Sequence, residues 1–322
     1  MRPSICVVVC FFGLFACDHV SSLPTAAADG SVRNGWTVVP AGTANLNAVS
    51  GVSDSTVWAV GDRGTIWRWD GTDLVSEKSG TTATLRSVFA LDAEDAYAVG
   101  DAGTILQRTA SGWQQVGVGV TRQVLTGVWA DTTRVVAVGS SATVILGTTA
   151  GYQVLPVGTS TNPITENLFG VSGTPGGVVT AVGALGLVLE LSGAALSRTP
   201  IPSFSKLLTG VSAGATASYF VGQQGIVYRV DATGINLVPG CPGTALRAVA
   251  TADTNAWIVG WDGTICELSS ASARSFPYKD ARRFNGVYAA SPSSLWVVGA
   301  SGTLLHGLPD NPTDAGAPES VP

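Results

Sequence analysis

Ionisable side chains are scarce in this sequence, and their scarcity excludes several classes of function. Charged residues make up 12% of the 322 residues, with only two histidines, His19 and His306, and three lysines. A net charge of −5 without a basic cluster excludes a nucleic-acid interface, because phosphate binding needs grouped Lys and Arg side chains. Two histidines are too few for a histidine-based metal site, and a Ser-His-Asp triad would have to use His306. We therefore expect no catalytic residues, no metal and no cofactor.

Long amphipathic helical patterns are also absent, and short extended segments take their place. Glycine accounts for 40 residues, and Val, Thr, Ser and Ala are abundant between the glycines. Beta-branched residues interrupted by glycine turns favour short strands over helices. The composition therefore predicts an all-β chain, folded as one large domain.

Two signatures recur seven times along the chain. The first is an apolar residue followed three positions later by valine: Leu46/Val49, Leu85/Val88, Leu125/Val128, Leu168/Val171, Leu208/Val211, Leu246/Val249 and Phe284/Val287. The second ends in Val-Gly, at Gly61, Gly100, Gly139, Gly183, Gly222, Gly260 and Gly299. Successive glycines of this second set are 39, 39, 44, 39, 38 and 39 residues apart by subtraction. This period is typical of four-stranded blades, so the sequence predicts a seven-bladed β-propeller.

The last copy of the repeat lacks its fourth strand, and an N-terminal segment can replace it. Each copy divides into four strands, which we call a to d in chain order. The last copy ends after strand c, near His306, whereas a lone strand-like segment, 35–40, precedes the first copy. Pairing between the two would close the ring and remove its exposed edges. The predicted propeller spans 35–308, and the Pro- and Ala-rich residues 309–322 are expected to form a disordered tail.

The N-terminus carries the features of an export signal. Arg2 precedes an apolar run that is too short to span a bilayer and fits a signal peptide. The Leu-Phe-Ala-Cys sequence at its end, which includes Cys17, resembles the lipobox of bacterial lipoproteins. The resemblance implies a signal peptide over 1–16, lipidation of Cys17, a flexible tether over 17–34 and a place in the bacterial cell envelope. The alternative is an ordinary secretory signal and a secreted protein.

Two cysteines remain in the predicted folded part, Cys241 and Cys266. In the oxidising compartment of an exported protein they could form a disulfide. The other interpretation is a pair of buried free thiols, because a sequence does not give the distance between two cysteines.

The repeat resembles those of known propellers. Residues 58–66, WAVGDRGTI, and their relatives in the other copies are similar to repeats of the photosystem II assembly-factor type and to bacterial neuraminidase-like repeats. The Val-Gly-x-x-Gly turn also resembles that of tectonin repeats. The sialidase Asp-box, Ser-x-Asp-x-Gly-x-Thr-Trp, is not reproduced, because the turn lacks its Ser and its final Trp. The resemblance covers about 35–308 and implies a binding or assembly propeller.

The glycine turns between strands b and c contain the best candidates for a binding site. The glycines are expected to supply positive φ angles, and the two residues between them vary from copy to copy. Variable loops on a rigid scaffold are common places for binding. Trp261 is the strongest candidate, since an indole is not needed to make a tight turn and can anchor a partner. The candidate ligand-binding residues are Asp62, Arg63, Asp101, Gln223, Gln224, Trp261 and Asp262.

We interpret the chain as a monomeric, non-catalytic scaffold that recognises a protein or glycan partner on one propeller face. Its only membrane contact would be the lipid anchor at Cys17. The alternative is a glycan-cleaving hydrolase of the sialidase type, which needs an arginine cluster, a tyrosine and acids. Arg86 and Arg247 occupy the same repeat position on strand a and could approach the central channel together. Three arginines beside a tyrosine and an acid would favour the hydrolase.

Overall fold

A computed structural model describes the fold over residues 32–33, 35–159, 161–201, 206–238, 241, 245–269, 272–276, 278, 280 and 282–307. The predicted signal peptide 1–16, Cys17, most of the tether 17–34 and the tail 309–322 lie outside these residues. Among the residues that are described, no helix is long and apolar enough to cross a membrane.

The chain forms seven antiparallel sheets arranged as blades. Two short strands come first, β1 (Val32–Arg33) and β2 (Trp36–Val38). Blade 1 consists of β3 (Leu46–Ser53), β4 (Thr56–Gly61), β5 (Ile66–Trp69) and β6 (Leu74–Ser76). Blade 2 consists of β7 (Leu85–Ala90), β8 (Ala96–Gly100), β9 (Ile105–Thr109) and β10 (Gly112–Gln115). Blade 3 consists of β11 (Leu125–Ala130), β12 (Val135–Gly139), β13 (Val144–Thr148) and β14 (Gly151–Leu155).

The longer connection after blade 3 contains a small hairpin, β15 (Gly158–Thr159) and β16 (Asn162–Pro163). Blade 4 consists of β17 (Leu168–Gly173), β18 (Val179–Gly183), β19 (Val188–Ser192) and β20 (Ala195–Arg198). Blade 5 consists of β21 (Leu208–Ala213), β22 (Ser218–Gly222), β23 (Val227–Asp231) and β24 (Gly234–Leu237). Blade 6 consists of β25 (Leu246–Ala252), β26 (Asn255–Gly260), β27 (Ile265–Leu268) and β28 (Ala273–Ser275). Blade 7 begins with β29 (Phe284–Ser291), β30 (Ser294–Gly299) and β31 (Leu304–Gly307).

The N-terminal strand completes blade 7, as the repeat count predicts. β2 pairs antiparallel with β31, with Trp36 opposite Gly307 and Val38 opposite Leu305. The order of this sheet is β1-β2-β31-β30-β29. The fold is therefore a seven-bladed β-propeller closed by its N-terminal strand. β1 adds a fifth strand at the outer edge of blade 7, which the repeat did not predict.

The two residues of the first signature have different roles in the ring. The valines face the central channel and narrow it. The leading apolar residue of strand a is completely buried in all seven blades. Leu46 of blade 1, for example, belongs to one cluster with Trp296 and Val298 of blade 7. Because burying such a side chain contributes about 1.5–3 kcal/mol, this position holds neighbouring blades together.

Cys241 and Cys266 form a disulfide, with their Cα atoms 5.9 Å apart. The bond joins the connection that precedes blade 6 to β27, the third strand of that blade. The sequence left open a disulfide or a pair of free thiols, and in the structure the two cysteines are bonded. A closed loop of 25 residues is expected to stabilise the fold by about 3 kcal/mol through the lost entropy of the unfolded chain.

Asp131 links blades 3 and 4 on the side where strands a and b are joined. Its side chain is 6% exposed, and its carboxylate accepts hydrogen bonds from the amides of Thr133 (2.9 Å) and of Gly176 in blade 4 (3.2 Å). The Arg134 guanidinium donates to the same carboxylate at 3.3 Å. Burial by itself raises the pKa of this carboxyl, but the hydrogen bonds outweigh burial and lower the pKa to about 2.

Asp131→Asn should therefore be destabilising at neutral pH and much less so in acid. The folded pKa of about 2 lies below the ordinary 3.8, so the stabilisation is present above pH 3.8 and is lost as the pH falls through 2. The shift corresponds to about 2 kcal/mol at neutral pH. Urea unfolding of wild type and variant across this range measures the difference. Asp253→Asn, in an exposed turn, is the matched control, and a penalty for Asp131→Asn that stayed constant with pH would contradict the ionic role.

Candidate functional site

Seven tight turns between strands b and c surround one end of the channel. The amide of the first turn residue donates to the residue that precedes strand a of the same blade, as from Asp62 to Asn45 and from Trp261 to Ala245, both at 3.0 Å. Four of these turns are single turns of 3₁₀ helix: Asp62–Gly64, Asp101–Gly103, Ala184–Gly186 and Ala300–Gly302. The second turn residue is left-handed in every blade, with φ between 52° and 60°: Arg63, Ala102, Ser141, Leu185, Gln224, Asp262 and Ser301.

The first glycine of each turn is required by close packing and not by a positive φ, which corrects the expectation from the sequence. Gly61 has φ −163°, an extended conformation, and a Cβ there would lie 2.0 Å from the Asn45 carbonyl oxygen. Gly64 has φ +72°, and its Cβ would lie 2.1 Å from the Thr81 carbonyl oxygen, in the connection to blade 2. Blade 3 has Ala142 instead, where the adjoining connection is the longest. The glycines thus pack the turn against two segments and leave the residues between them free to vary.

The second residue of every strand a is a β-bulge at the mouth of the channel. The register with strand b shifts at this position in all seven blades. A bulge re-aims one side chain without reorienting the rest of the strand. We call this end of the ring, with its bulges, its b–c turns and its d–a connections, the mouth face. The seven bulge residues, all lining the channel, are Asn47, Arg86, Thr126, Phe169, Thr209, Arg247 and Asn285.

In blades 1, 3, 5 and 7 the bulge residue binds the next blade. The Asn47 amide donates to the Leu85 carbonyl of blade 2 at 2.9 Å. Thr126, Thr209 and Asn285 donate in the same way to the leading residue of the following blade, at 2.7, 2.7 and 2.9 Å. These four side chains therefore have a structural role.

Blades 2, 4 and 6 break this pattern with Arg86, Phe169 and Arg247. The phenyl ring of Phe169 has no donor at all. The Arg86 guanidinium forms an ion pair with Asp101 in the turn of its own blade, with Nη2 and Oδ2 3.2 Å apart. The Arg247 guanidinium lies over the Trp261 ring, 5.8 Å from its centre. These three residues carry two cations and an aromatic ring to the mouth of the channel.

Trp261 lies between two arginines and remains 37% exposed. The guanidinium carbon of Arg283 is 4.7 Å from the ring centre on the side of blade 7. Cation–π contacts of this kind orient an exposed indole. Arg247 is open to solvent at the mouth but enclosed by protein on most sides, and this burial lowers the pKa of its guanidinium. It stays charged at neutral pH, because the ordinary pKa of an arginine is far higher.

Two of the predicted ligand-binding residues are engaged within the fold. The Asp62 carboxylate accepts hydrogen bonds from the side-chain amides of Asn45 and Asn47, at 2.8 and 3.2 Å. Asp101 holds Arg86, as described above. Both carboxylates therefore order the rim of the channel, and Asp101 also positions a cation at the mouth.

The other predicted residues are spread around the rim. Trp261 contacts Arg247 and Arg283 there, and Arg63 lines a shallow cavity with Lys78. The side chains exposed in their turns are Arg63, Gln223, Gln224 and Asp262. Sequence reasoning missed Leu185, an apolar turn residue that is 58% exposed. It also missed Phe169. An apolar residue where other copies are polar was the available signal for both.

The described residues that line the channel include arginines and a tyrosine but not the acids of a sialidase-type hydrolase. The cavity of the channel measures about 350 Å³. The tyrosine among its described lining residues is Tyr288, and none of these residues carries a carboxyl group. Burial, with the nearby charge of Asp54, raises the pKa of Tyr288 to about 12, so the phenol stays protonated at neutral pH and is a poor nucleophile. Arg86 and Arg247 line this channel, and the acid that Arg86 binds, Asp101, lies in a turn at the rim.

His306 lies at the seam between blades 7 and 1. Its Nε2 is 2.9 Å from the Asp54 carboxylate and 3.2 Å from the Ser294 hydroxyl, and its ring stacks on Trp296. A catalytic triad binds its acid and its serine through opposite ring nitrogens, whereas both groups here approach the same nitrogen. The cluster therefore joins two blades. In the part of the chain that the structure covers, no group of three His, Cys, Asp or Glu residues could hold a metal ion.

No protein-family profile and no curated protein sequence matches this chain. Solved structures do match it, at low identity. Virginiamycin B lyase from Staphylococcus aureus has a TM-score of 0.72 and 12% identity, covering 84% of this chain and 98% of its own. YCF48 from Cyanidioschyzon merolae has a TM-score of 0.67 and 17% identity, over 86% and 100%. YCF48 bound to D1 peptide has a TM-score of 0.68 and 15% identity, over 87% and 98%. At these identities the similarity shows the fold alone.

Proposed function

We propose that this chain is a monomeric, non-catalytic propeller of the bacterial cell envelope, anchored through Cys17, that binds a protein partner at the mouth face. The observation that carries the proposal is that the interblade hydrogen bond made at the β-bulge of strand a in blades 1, 3, 5 and 7 has no counterpart from Arg86, Phe169 or Arg247. At this position, where those four blades have a residue that bonds to the next blade, blades 2, 4 and 6 have Arg86, Phe169 and Arg247. Such an exchange gives up stabilising hydrogen bonds and gains a mixed cationic and aromatic surface.

A protein segment suits this surface better than a glycan does. Arg86 and Arg247 can donate to carboxylates or to main-chain carbonyls. Phe169, Leu185 and Trp261 offer apolar contacts at separate points around the mouth, as side chains of a peptide require. Among the structural neighbours, the complex of YCF48 with a peptide supports the use of a propeller for this purpose. The envelope location is supported by the disulfide, since such bonds persist in oxidising compartments.

Photo-crosslinking in intact cells tests the location of the partner. A photo-reactive amino acid in place of Leu185 or Gln224, on the mouth face, should yield a covalent adduct with one protein. The same amino acid in place of Asp253, in an exposed turn on the opposite face, should not. Combining Arg86→Gln with Arg247→Gln should lower the yield about tenfold or more, because charge-assisted hydrogen bonds are lost. Adducts from position 253 alone, or a yield that both substitutions left unchanged, would rule out the proposed surface.

A further inference from the structure

The first described strand, β1, runs away from the mouth face. The amide of Val39, just after β2, donates to the first residue of β31, next to a mouth-face turn. β2 therefore runs toward the mouth. β1 is antiparallel to β2, with Val32 opposite Thr37 and Arg33 opposite Trp36. Val32 is therefore the end of β1 nearer to the mouth face.

The distance between the anchor and the ring is short. Cys17 precedes Val32 by 15 residues, by subtraction. A fully extended segment of this length spans at most about 50 Å, and an irregular one averages roughly 20 Å from end to end. With Cys17 in the membrane, Val32 on the outer edge of blade 7 lies within that distance of the lipid. This placement rests on the anchor that the proposed function includes.

The two faces of the ring differ in charge. The turns opposite the mouth, between strands a and b and between c and d, carry one basic residue, Arg134, and eight acidic ones: Asp54, Asp70, Asp73, Asp92, Glu94, Asp95, Asp131 and Asp253. The acidic residues described on the mouth face are Asp62, Glu77, Asp101, Glu166, Asp262 and Asp280. The basic residues described there are Arg63, Lys78, Arg86, Arg122, Lys206, Arg247, Arg282 and Arg283. Arg282 is buried, but the other seven of these basic residues are exposed, whereas of the six acidic ones only Asp262 is exposed. The exposed charge of the mouth face is therefore net positive, while six of the eight acidic residues in the opposite turns are exposed.

Exposed apolar side chains add to the character of the mouth face. Trp261, Leu185 and Val118 are 37%, 58% and 74% exposed there. Val52, near the end of β3, and Val178, in a turn of blade 4, are exposed toward the opposite face, at 40% and 46%. An indole beside arginines, with isolated aliphatic side chains nearby, suits the interface between water and headgroups.

We infer that the propeller is held with its mouth face toward the anionic headgroup layer of the membrane that holds Cys17. In the reverse orientation six exposed carboxylates would face anionic headgroups, and charges interact strongly there within a Debye length of about 8 Å. Basic residues near such a surface contribute about 1 kcal/mol each, which favours the mouth side. A partner segment that binds at the mouth therefore comes from the plane of the membrane.

Energy transfer in reconstituted vesicles measures this orientation. The full mature, lipidated chain is labelled at Gln224→Cys on the mouth face or at Asp253→Cys on the opposite face, since both positions are exposed left-handed turns, with φ 60° and 52°. With an acceptor dye on phosphatidylglycerol headgroups, we expect transfer from position 224 to be several-fold stronger than from position 253. Equal transfer, or stronger transfer from 253, overturns the orientation.

Further experiments distinguish a failure of this inference from a failure of the proposed function. Full-length Cys17→Ala should co-sediment better with phosphatidylglycerol than with phosphatidylcholine vesicles. Adding Arg247→Gln and Arg283→Gln to this variant should remove the preference. If Cys17→Ala binds both kinds of vesicle equally, the proposed contact between the mouth face and anionic headgroups is wrong. Mouth-face crosslinks to a protein, combined with a label at position 224 far from the headgroups, would retain the partner site and overturn the orientation. Unchanged membrane retention of Cys17→Ala in cells would instead overturn the anchor.

Discussion

Trp36→Ala should destabilise the entire ring by about 3–5 kcal/mol, the usual effect of truncating a buried indole. Trp36 is 1% exposed and packs in one cluster with Trp257 of blade 6 and Phe284 of blade 7. Its strand, β2, supplies the fourth strand of blade 7. Loosening it exposes the edge of β31 and reopens the ring, so the loss should appear in one cooperative transition and not as local fraying.

Thr37→Ala is the matched control for this substitution. Thr37 lies on the same strand and is half-buried, opposite His306. Its truncation should change the free energy of unfolding by about 0.5 kcal/mol or less, as for most substitutions at partly exposed positions. Urea unfolding followed by near-ultraviolet circular dichroism gives both values. Equally small losses for the two variants would mean that β2 contributes little to closure.

Gly103→Ala should destabilise the fold by about 2–5 kcal/mol although it adds a single methyl group. The new Cβ would lie 2.1 Å from the Thr121 carbonyl oxygen, in the connection from blade 2 to blade 3. No rotamer change relieves such a contact, because the backbone fixes the position of the Cβ and the carbonyl oxygen is itself a backbone atom. The left-handed conformation of Gly103, with φ +70°, adds about 1–2 kcal/mol for any residue with a Cβ.

Gly193→Ala separates the two contributions to this effect. Gly193 has a similar φ of +61°, and nothing lies within 4 Å of the position that the alanine methyl group would occupy. Its substitution should therefore cost only the conformational term, about 1–2 kcal/mol. Denaturant unfolding of both variants under the same conditions gives the comparison. Equal losses would show that conformation, and not close packing, explains the glycine at position 103.

The sequence predicted those features of the candidate site that can be read within a single repeat, and not those that depend on contacts between segments. The b–c turns vary between copies within a constant frame, and this difference identified Trp261, Gln223 and Gln224 as exposed rim residues. The sequence did not show that Asp62 is held by two asparagines, because those contacts depend on how the turn packs against strand a. Nor did it show why Phe169 differs from its counterparts, since the hydrogen bond that it lacks would cross to the next blade.

The sequence by itself determined the all-β class, the seven blades and the closure by residues 35–40. Strand alternation and a repeat near 39 residues are local or periodic properties, and a missing fourth strand can be counted. Only the tertiary structure decided which of the repeated residues bind blade to blade, why the first glycine is required, and in which direction β1 runs along blade 7. Each of these depends on distances between segments about 40 residues apart or at opposite ends of the chain, such as the bond from Asn285 to Leu46. Those distances follow from how the seven blades pack around the closed ring, and the sequence of a single repeat does not specify that packing.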